Sequence, residues 1–593
     1  MQKIQVFLSL VLLALVFSCE KTTDEKAAEF ITTFETSNGQ ETATYNEVID
    51  FYIKLARNHP EINIQTIGQT DSGYPLHLVT FNIDGDFNFQ KIHDDKTVLL
   101  VNNGIHPGES DGIDATMLLF RDLATQKIAP QQNVVLVTIP VYNVGGMLNR
   151  NSHTRANQNG PKAYGFRGNA QNYDLNRDFI KVDTENAKTF TKIFHLVKPD
   201  VFIDNHVSNG ADYQYTLTHL FTQHNKLGGE MGDYLHAALI PKLEQQLASA
   251  EWDITPYVNV FNRPPETGFS QFMDHPRYST GFTTLYNTFG MMVETHMLKP
   301  YTKRVMGTYE LMRQMLLITN EEHQKIKELR KKASLSFENL KTYHLNWQLD
   351  TTQTTTLQFK GFEVDTLTSE VTGLARLKYD KDRPFVKNVA YSNYYVPADT
   401  VQVPQGYIIK KGWQKVIDRL NLNEVEFFEL EADTILTVES YRIRDYSTRT
   451  NPYEGHYPHY NTSVIKNNKK VQFRKGDIVV PTQQLALRYI LETLEPQAPD
   501  SFFNWNFFDT ILQQKEGFSP YVFEDIAYQL LMENQVLRDS FLAKKQNDEV
   551  FNANWYAQLD WVFKHSPHYE PAHLQYPIYR VTKGSSAASI FKD

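Results

Sequence analysis

The chain has 593 residues, 41% of them hydrophobic, with 59 Lys and Arg against 69 Asp and Glu and a formal net charge of −10. A chain of this size and composition buries sizeable cores divided among two to four domains, and its mild acidity excludes the basic stripe that nucleic-acid binding needs. The single cysteine, Cys19, excludes an intramolecular disulfide and a cysteine-built zinc site.

The N-terminus, MQKIQVFLSLVLLALVFSC, has a basic start at Lys3, an apolar stretch from Ile4 to Phe17 and a small residue, Ser18, before Cys19. The run is too short for an ordinary membrane span and reads as an export signal. Its VFSC ending resembles a bacterial lipobox. That implies cleavage before Cys19, acylation of the cysteine and anchoring to membrane lipid in the cell envelope; a plain secretory signal is the alternative. Residues 20–43 read as a polar tether.

From Tyr45 to Arg57 apolar residues recur at helical spacing, and INIQTIGQT and LHLVTFN flank the turn Asp71-Ser72-Gly73-Tyr74 as a hairpin. The apolar run Val98–Val101 predicts a buried strand. A helix over Gly112–Gln126 and a strand over Val134–Tyr142 follow. Strand, helix, strand in this order implies a parallel sheet covered by helices. The expected fold class is therefore α/β: a mixed, largely parallel central sheet with helices on both faces. Residues 143–178 form a long polar loop, and a loop of that length inside a compact domain is usually functional. Further helices are expected over Thr184–Val197, Leu227–Leu247 and Lys303–Lys332, and further strands over Val201–Asp204 and Phe289–Val293.

Chemistry concentrates at the ends of these strands. His106 and Glu109 sit in the Gly-containing corner after Val98–Val101, where imidazole and carboxylate three residues apart can converge on one metal; alternatively Glu109 merely favours the positive end of the next helix. His206 stands at the carboxyl end of its strand, where open α/β sheets place their ligands, and is either a third ligand or a hydrogen-bonded histidine. Glu294, after FGMMV, lies beside the same edge or in solvent.

Taken together, HPGE at 106–109, YDLNRDF at 173–179, DNH at 204–206 and VETH at 293–296 resemble the zinc carboxypeptidases of the carboxypeptidase A type, the funnelins, over about Tyr45 to Tyr301. The resemblance implies one Zn²⁺ per chain on His106, Glu109 and His206, with Glu294 as general base. It implies that Asn176 and Arg177 bind the terminal carboxylate of a peptide substrate, that Arg155 polarises the scissile carbonyl, and that Asp174 supports the first zinc histidine. Arg150 or Arg167 is an alternative to Arg155. Tyr278 and Tyr286 are candidates for the family's mobile tyrosine, and His296 is read as structural. These residue types suit the chemistry: three protein ligands leave zinc a fourth position, a carboxylate can move a proton, and a guanidinium grips a carboxylate through paired hydrogen bonds. No long activation segment precedes Tyr45, so the enzyme is expected to be made active.

The expected layout is a catalytic domain over 44–335, a β-rich accessory domain over 336–480 and a helical region over 481–593, with the tail KGSSAASIFKD disordered. Trp505, Phe507 and Phe508 are read as core residues. The function read from the sequence is hydrolysis of C-terminal peptide bonds. The rivals are a zinc amidase acting on cell-wall peptides or N-acyl amino acids, and an inactive binding protein on the same fold.

Overall fold

The computed structural model describes residues 23–208, 210–336 and 340–591. The export signal and Cys19 lie outside the described residues. Among the described residues no helix is long and apolar enough to cross a membrane. The chain divides into two compact units, one comprising the chain up to Val403 with Asp418–Val425 and Gln483–Glu492, the other Pro404–Ile417, Glu426–Thr482 and Thr493–Asp593.

After short helical turns at Thr23–Ala27, Ala28–Phe30 and Thr33–Thr36, the first unit continues with α1 (Tyr45–Asn58), started by Thr44 and Glu47, each side chain capping the other's backbone N–H. The hairpin β1 (Ile62–Gln69) and β2 (Pro75–Phe81) follows, then β3 (Thr97–Asn102), α2 (Asp111–Ala124) and β4 (Val134–Ile139). Next come α3 (Glu185–Val197), β5 (Val201–Ser208), β6 (Leu217–Phe221), β7 (Ile254–Pro256), β8 (Phe269–Ser270), α4 (Ser279–Thr284), β9 (Phe289–His296), α5 (Tyr301–Glu321) and α6 (His323–Ser336). Eight strands form one sheet in the order β1-β2-β4-β3-β5-β9-β6-β7. Its centre, β4-β3-β5-β9, is parallel, and β1, β2 and β6 run against their inner neighbours. The fold is thus mixed α/β with a largely parallel sheet.

Strand alternation puts helices on both faces. On β5, Phe202 packs edge-on against Phe190 of α3, while Asn205 donates to Met312 of α5 and to Asn103. His206 shares the parity of Phe202 and so belongs to the α3 face.

One buried cation ties the loops around this sheet end together. Arg304, fully buried on α5, pairs with Asp111 through Nε (2.8 Å) and Nη2 (3.3 Å) and donates to the carbonyls of Asn159, Gly160, Met297 and Lys299. Asp111 also accepts from Thr295 Oγ1 at 2.5 Å. Arg304→Met would leave a buried carboxylate unpaired and is expected to cost about 3–5 kcal/mol, read as a lower denaturant midpoint of the full chain.

Several expectations change. Residues 23–43 are packed rather than a free tether: Phe30, Phe34 and Ala43 are buried, and Glu35 pairs with Arg121 at 2.7 Å. Two phenylalanines four residues apart are too sparse to show as a periodic face. The helix expected over 227–247 is three consecutive helical segments, with a π turn at Leu235–Leu239, and the one over 303–332 breaks at Glu322 between α5 and α6. Within the β-rich stretch, β10 (Thr342–Leu349), β11 (Thr355–Thr368), β12 (Ala375–Ser392) and β13 (Tyr395–Gln402) belong to the first unit, and β12 pairs with β8 at Tyr391↔Phe269. A period of two marks a strand without naming its partner.

The second unit is built on an antiparallel sheet of β14 (Gly406–Ile409), β15 (Phe428–Glu429), β16 (Thr434–Thr448), β17 (His459–Phe473), β18 (Ile478–Pro481) and β19 (Gln575–Val581), ordered β15-β18-β14-β19-β16-β17. Helices α7 (Pro520–Glu533), α8 (Gln535–Asn547) and α9 (Trp555–Lys564) supply the expected helical content, with a core of Phe523, Ala527, Leu559, Val562 and Phe563. Trp505 and Phe508 are buried. The described part of the tail is ordered rather than disordered: Ser586–Phe591 forms a 3₁₀ turn whose Ala587 is fully buried in the cluster of Ile408, Val479 and Val581.

Candidate metal centre

The corner after β3 is a tight turn closed by Glu109 N–H donating to His106 C=O at 2.7 Å. Gly108 is required there by close approach, since a Cβ would lie 2.6 Å from Arg155 Cδ. The turn aims His106 and Glu109 at β5, where His206 completes the cluster. All three side chains are buried. His106 Nδ1, His206 Nδ1 and Glu109 Oε2 form a nearly equilateral triangle with edges of 3.3, 3.3 and 3.2 Å.

That triangle fits a metal. Tetrahedral bonds of about 2.0–2.1 Å give ligand-to-ligand edges of about 3.3 Å, and two imidazole nitrogens with one carboxylate oxygen are an ordinary zinc donor set. The other ring nitrogens are held from behind. His106 Nε2 meets Asp174 Oδ1 at 2.8 Å and His206 Nε2 meets Asp204 Oδ2 at 2.9 Å. A carboxylate there fixes the tautomer that presents Nδ1 forward.

Glu294 stands directly opposite His206 in the parallel β5–β9 register, half-buried on the same face. Burial first, then the charges of Glu109 and Asp204, push its carboxyl up to about 7 against the pull of His206 and Arg167. Glu109 goes the other way: although burial opposes it, His106 and Arg155 hold it well below the usual carboxylate range. Burial lowers His206, but Asp204 and the neighbouring carboxylates overcome it and raise the imidazole well above its ordinary value. A dication here would favour the ionised carboxyls of Glu109 and Glu294 and the neutral imidazole of His206.

The arginines divide differently from the expectation for Arg155. Arg155 Nη1 donates to Glu109 Oε1 at 2.9 Å and its Nε to Gln158 at 2.5 Å, so its guanidinium braces the back of a candidate ligand. Arg150 donates to the carbonyls of Thr42, Ala43 and Ala163. Arg167, the most exposed of the three candidates in the cluster's neighbourhood, brings Nη1 to 3.3 Å from His106 Nδ1 while Nε and Nη2 grip Asp174 Oδ2 at 3.0 and 2.7 Å. The loop has no periodicity from which to place these side chains.

Asp174 also organises Asn176 and Arg177. Its Oδ1 accepts from Asn176 N–H at 3.0 Å, and Arg177 Nη1 lies 3.9 Å from Oδ2. Asn176 Oδ1 accepts from Ser279 N–H at the start of α4, leaving Nδ2 as the available donor. The Tyr278 ring lies 4.6 Å from the Arg177 guanidinium carbon, a cation–π distance. Tyr286 is elsewhere: its ring packs among Phe194, His195 and Phe282 and its hydroxyl reaches Asn423 at 3.2 Å, so it cannot cover the site. His296 is buried against Asp212 at 3.0 Å, in keeping with a structural role.

No protein-family model matches the chain, and no curated protein matches it. Solved structures do. A metallo-carboxypeptidase from Pseudomonas aeruginosa is 13% identical over 47% of this chain and 68% of its own, with a TM-score of 0.35. One from Burkholderia cenocepacia is 16% identical over 46% and 68%, at 0.34, and carboxypeptidase A from Helicoverpa armigera is 15% identical over 56% and 82%, at 0.36. Likenesses of this size leave the chemistry to be read from the residues themselves.

Proposed function

We propose that the protein is a zinc-dependent carboxypeptidase that removes residues from the free C-terminus of peptides. The observation that carries this reading is the 3.2–3.3 Å triangle of His106, His206 and Glu109, set on the sheet edge that also bears Glu294. When bound, zinc supplies a Lewis acid and lowers the pKa of water at the site from about 15.7 to about 7. Glu294 takes the proton of the attacking water and delivers it to the leaving amine. Arg167, its Nη1 beside His106, donates to the oxyanion as it develops, in preference to Arg155, which is occupied with Glu109. Asn176 and Arg177 grip the terminal carboxylate. Export by the N-terminal segment and acylation of Cys19 are part of the same proposal and rest on the sequence alone.

Elemental analysis of the full chain and mass-spectrometric cleavage of a peptide library test it together. About one zinc per chain and release of single residues from free C-termini are expected. Zinc without peptide trimming would transfer the site to cell-wall amides or N-acyl amino acids; absence of zinc would sink the mechanism.

A further inference from the structure

Two carboxylates stand behind the two histidines, and they are not equivalent. Asp174 spends its second oxygen on cations, with Arg167 at 2.7 Å and Arg177 at 3.9 Å. Asp204 is fully buried on β5 and pairs with no lysine or arginine among the described residues. Its Oδ2 meets His206 Nε2 at 2.9 Å and its Oδ1 accepts from Asn102 Nδ2 at 3.2 Å across the β3–β5 pair. Asn102 points its amide this way while its own buried Oδ1 has no partner among the described residues. A buried carboxylate is costly unless it is paired, and among the described residues His206 is the one ionisable side chain that Asp204 touches. Asp204 therefore directs its charge at His206 alone, whereas Asp174 divides its charge between His106 and two guanidinium groups.

We propose that Asp204, through His206, is the positioning residue that sets how tightly the metal is held, whereas Asp174 chiefly sets the arginines that face substrate. This rests on reading the His106–Glu109–His206 cluster as a metal site and adds to it a division of labour. Asp204 fixes the His206 tautomer and makes its Nδ1 a stronger donor; Asp174 does the same for His106 with its charge already shared by two guanidinium groups.

The test measures zinc affinity of the full-length protein by competition with a chromophoric chelator, together with the visible spectrum of the cobalt-substituted protein and peptide KM at saturating zinc. Asp204→Asn, nearly isosteric, is expected to weaken zinc binding about 10–100-fold and to shift the cobalt bands, with KM within about twofold of wild type. Asp174→Asn is expected to lose less zinc affinity and to raise KM, because Arg167 and Arg177 lose their anchor. If Asp204→Asn does not fold, Asn102→Ala keeps the carboxylate but removes its second donor, and is expected to weaken zinc binding by about threefold or more. Wild-type zinc affinity in Asp204→Asn, or in Asn102→Ala where that variant stands in for it, overturns the proposal, as does a larger zinc loss in Asp174→Asn. A wild-type protein that binds no zinc overturns the metal reading itself, which the same titration shows before any variant is compared.

Discussion

Replacing Glu294 by glutamine is expected to lower kcat by about 10²–10⁴-fold while zinc content stays at that of the wild type. Glutamine has the size of glutamate but cannot take a proton from water or pass one to an amine, and the three ligand atoms lie on other residues. The pH profile separates this from a folding defect. In the proposed mechanism ionised Glu294 is the working form, so the wild-type rate is expected to fall as pH drops through its pKa. Without metal that value is raised from 4.5 to about 7, with burial the leading cause, and a dication beside it moves the acid limb below 7. The glutamine variant should lack that limb. Stability carries the opposite sign. A carboxyl whose folded pKa is raised stabilises the metal-free protein below its unfolded value, and that contribution is lost as pH rises through about 7. Zinc favours the ionised form, so the rise in Tm on adding zinc should be larger at about pH 8 than at about pH 5, and this difference should shrink in Glu294→Gln. An equal rise at both pH values, or a variant with wild-type turnover, would remove Glu294 from the role.

The sequence carried the sheet and the cluster because both rest on short-range rules. Buried parallel strands read as apolar runs, and their carboxyl ends offered His106, Glu109, His206 and Glu294 as candidates with alternatives open; the motif resemblance, not position alone, drew them together. Asp204 was passed over, although the strand period would have found it: two residues before His206, it shares that face. The arginines were not legible. Arg150, Arg155 and Arg167 lie on a loop whose path is set by distant contacts, such as the Arg304 clamp on Asn159 and Gly160, and nothing in the local sequence encodes that path. Tyr286 fell to the same difficulty in a helical setting. It lies two residues beyond the end of α4, and the aromatic cluster of α3 draws it inward. Residues 23–43 and the C-terminal tail failed for another reason. Their composition is polar, yet a few scattered apolar side chains, Phe30, Phe34 and Ala43 in one and Ala587 with Ile590 and Phe591 in the other, dock them.

Arg177→Met is expected to cost about 10²–10³-fold in kcat/KM on peptides with a free C-terminus, most of it in KM, with zinc content unchanged. A charged, hydrogen-bonded partner removed from a partly buried carboxylate contact costs about 2–5 kcal/mol, and each 1.4 kcal/mol is tenfold. The side chain is held in place by its surroundings. Its backbone N–H donates to Asp174 C=O at 3.0 Å, its Nη1 donates to Asn176 C=O at 2.7 Å, and the Tyr278 ring underlies the guanidinium at 4.6 Å. Methionine keeps much of the length and the contact with the ring but offers no donor. The decisive comparison uses each peptide with its C-terminal amide. Wild type should prefer the acid over the amide by a factor close to the loss caused by the substitution, because the same charged contact is removed from either side. In Arg177→Met that preference should fall to about one. If the variant keeps its preference for the acid, another cation reads the carboxylate, and Arg167 is the next to substitute, since its guanidinium shares the Asp174 carboxylate with Arg177. If wild type itself shows no preference, the substrate lacks a free carboxylate at this position. The zinc site would then serve an internal amide, and Asn176 and Arg177 would hold a different part of the ligand.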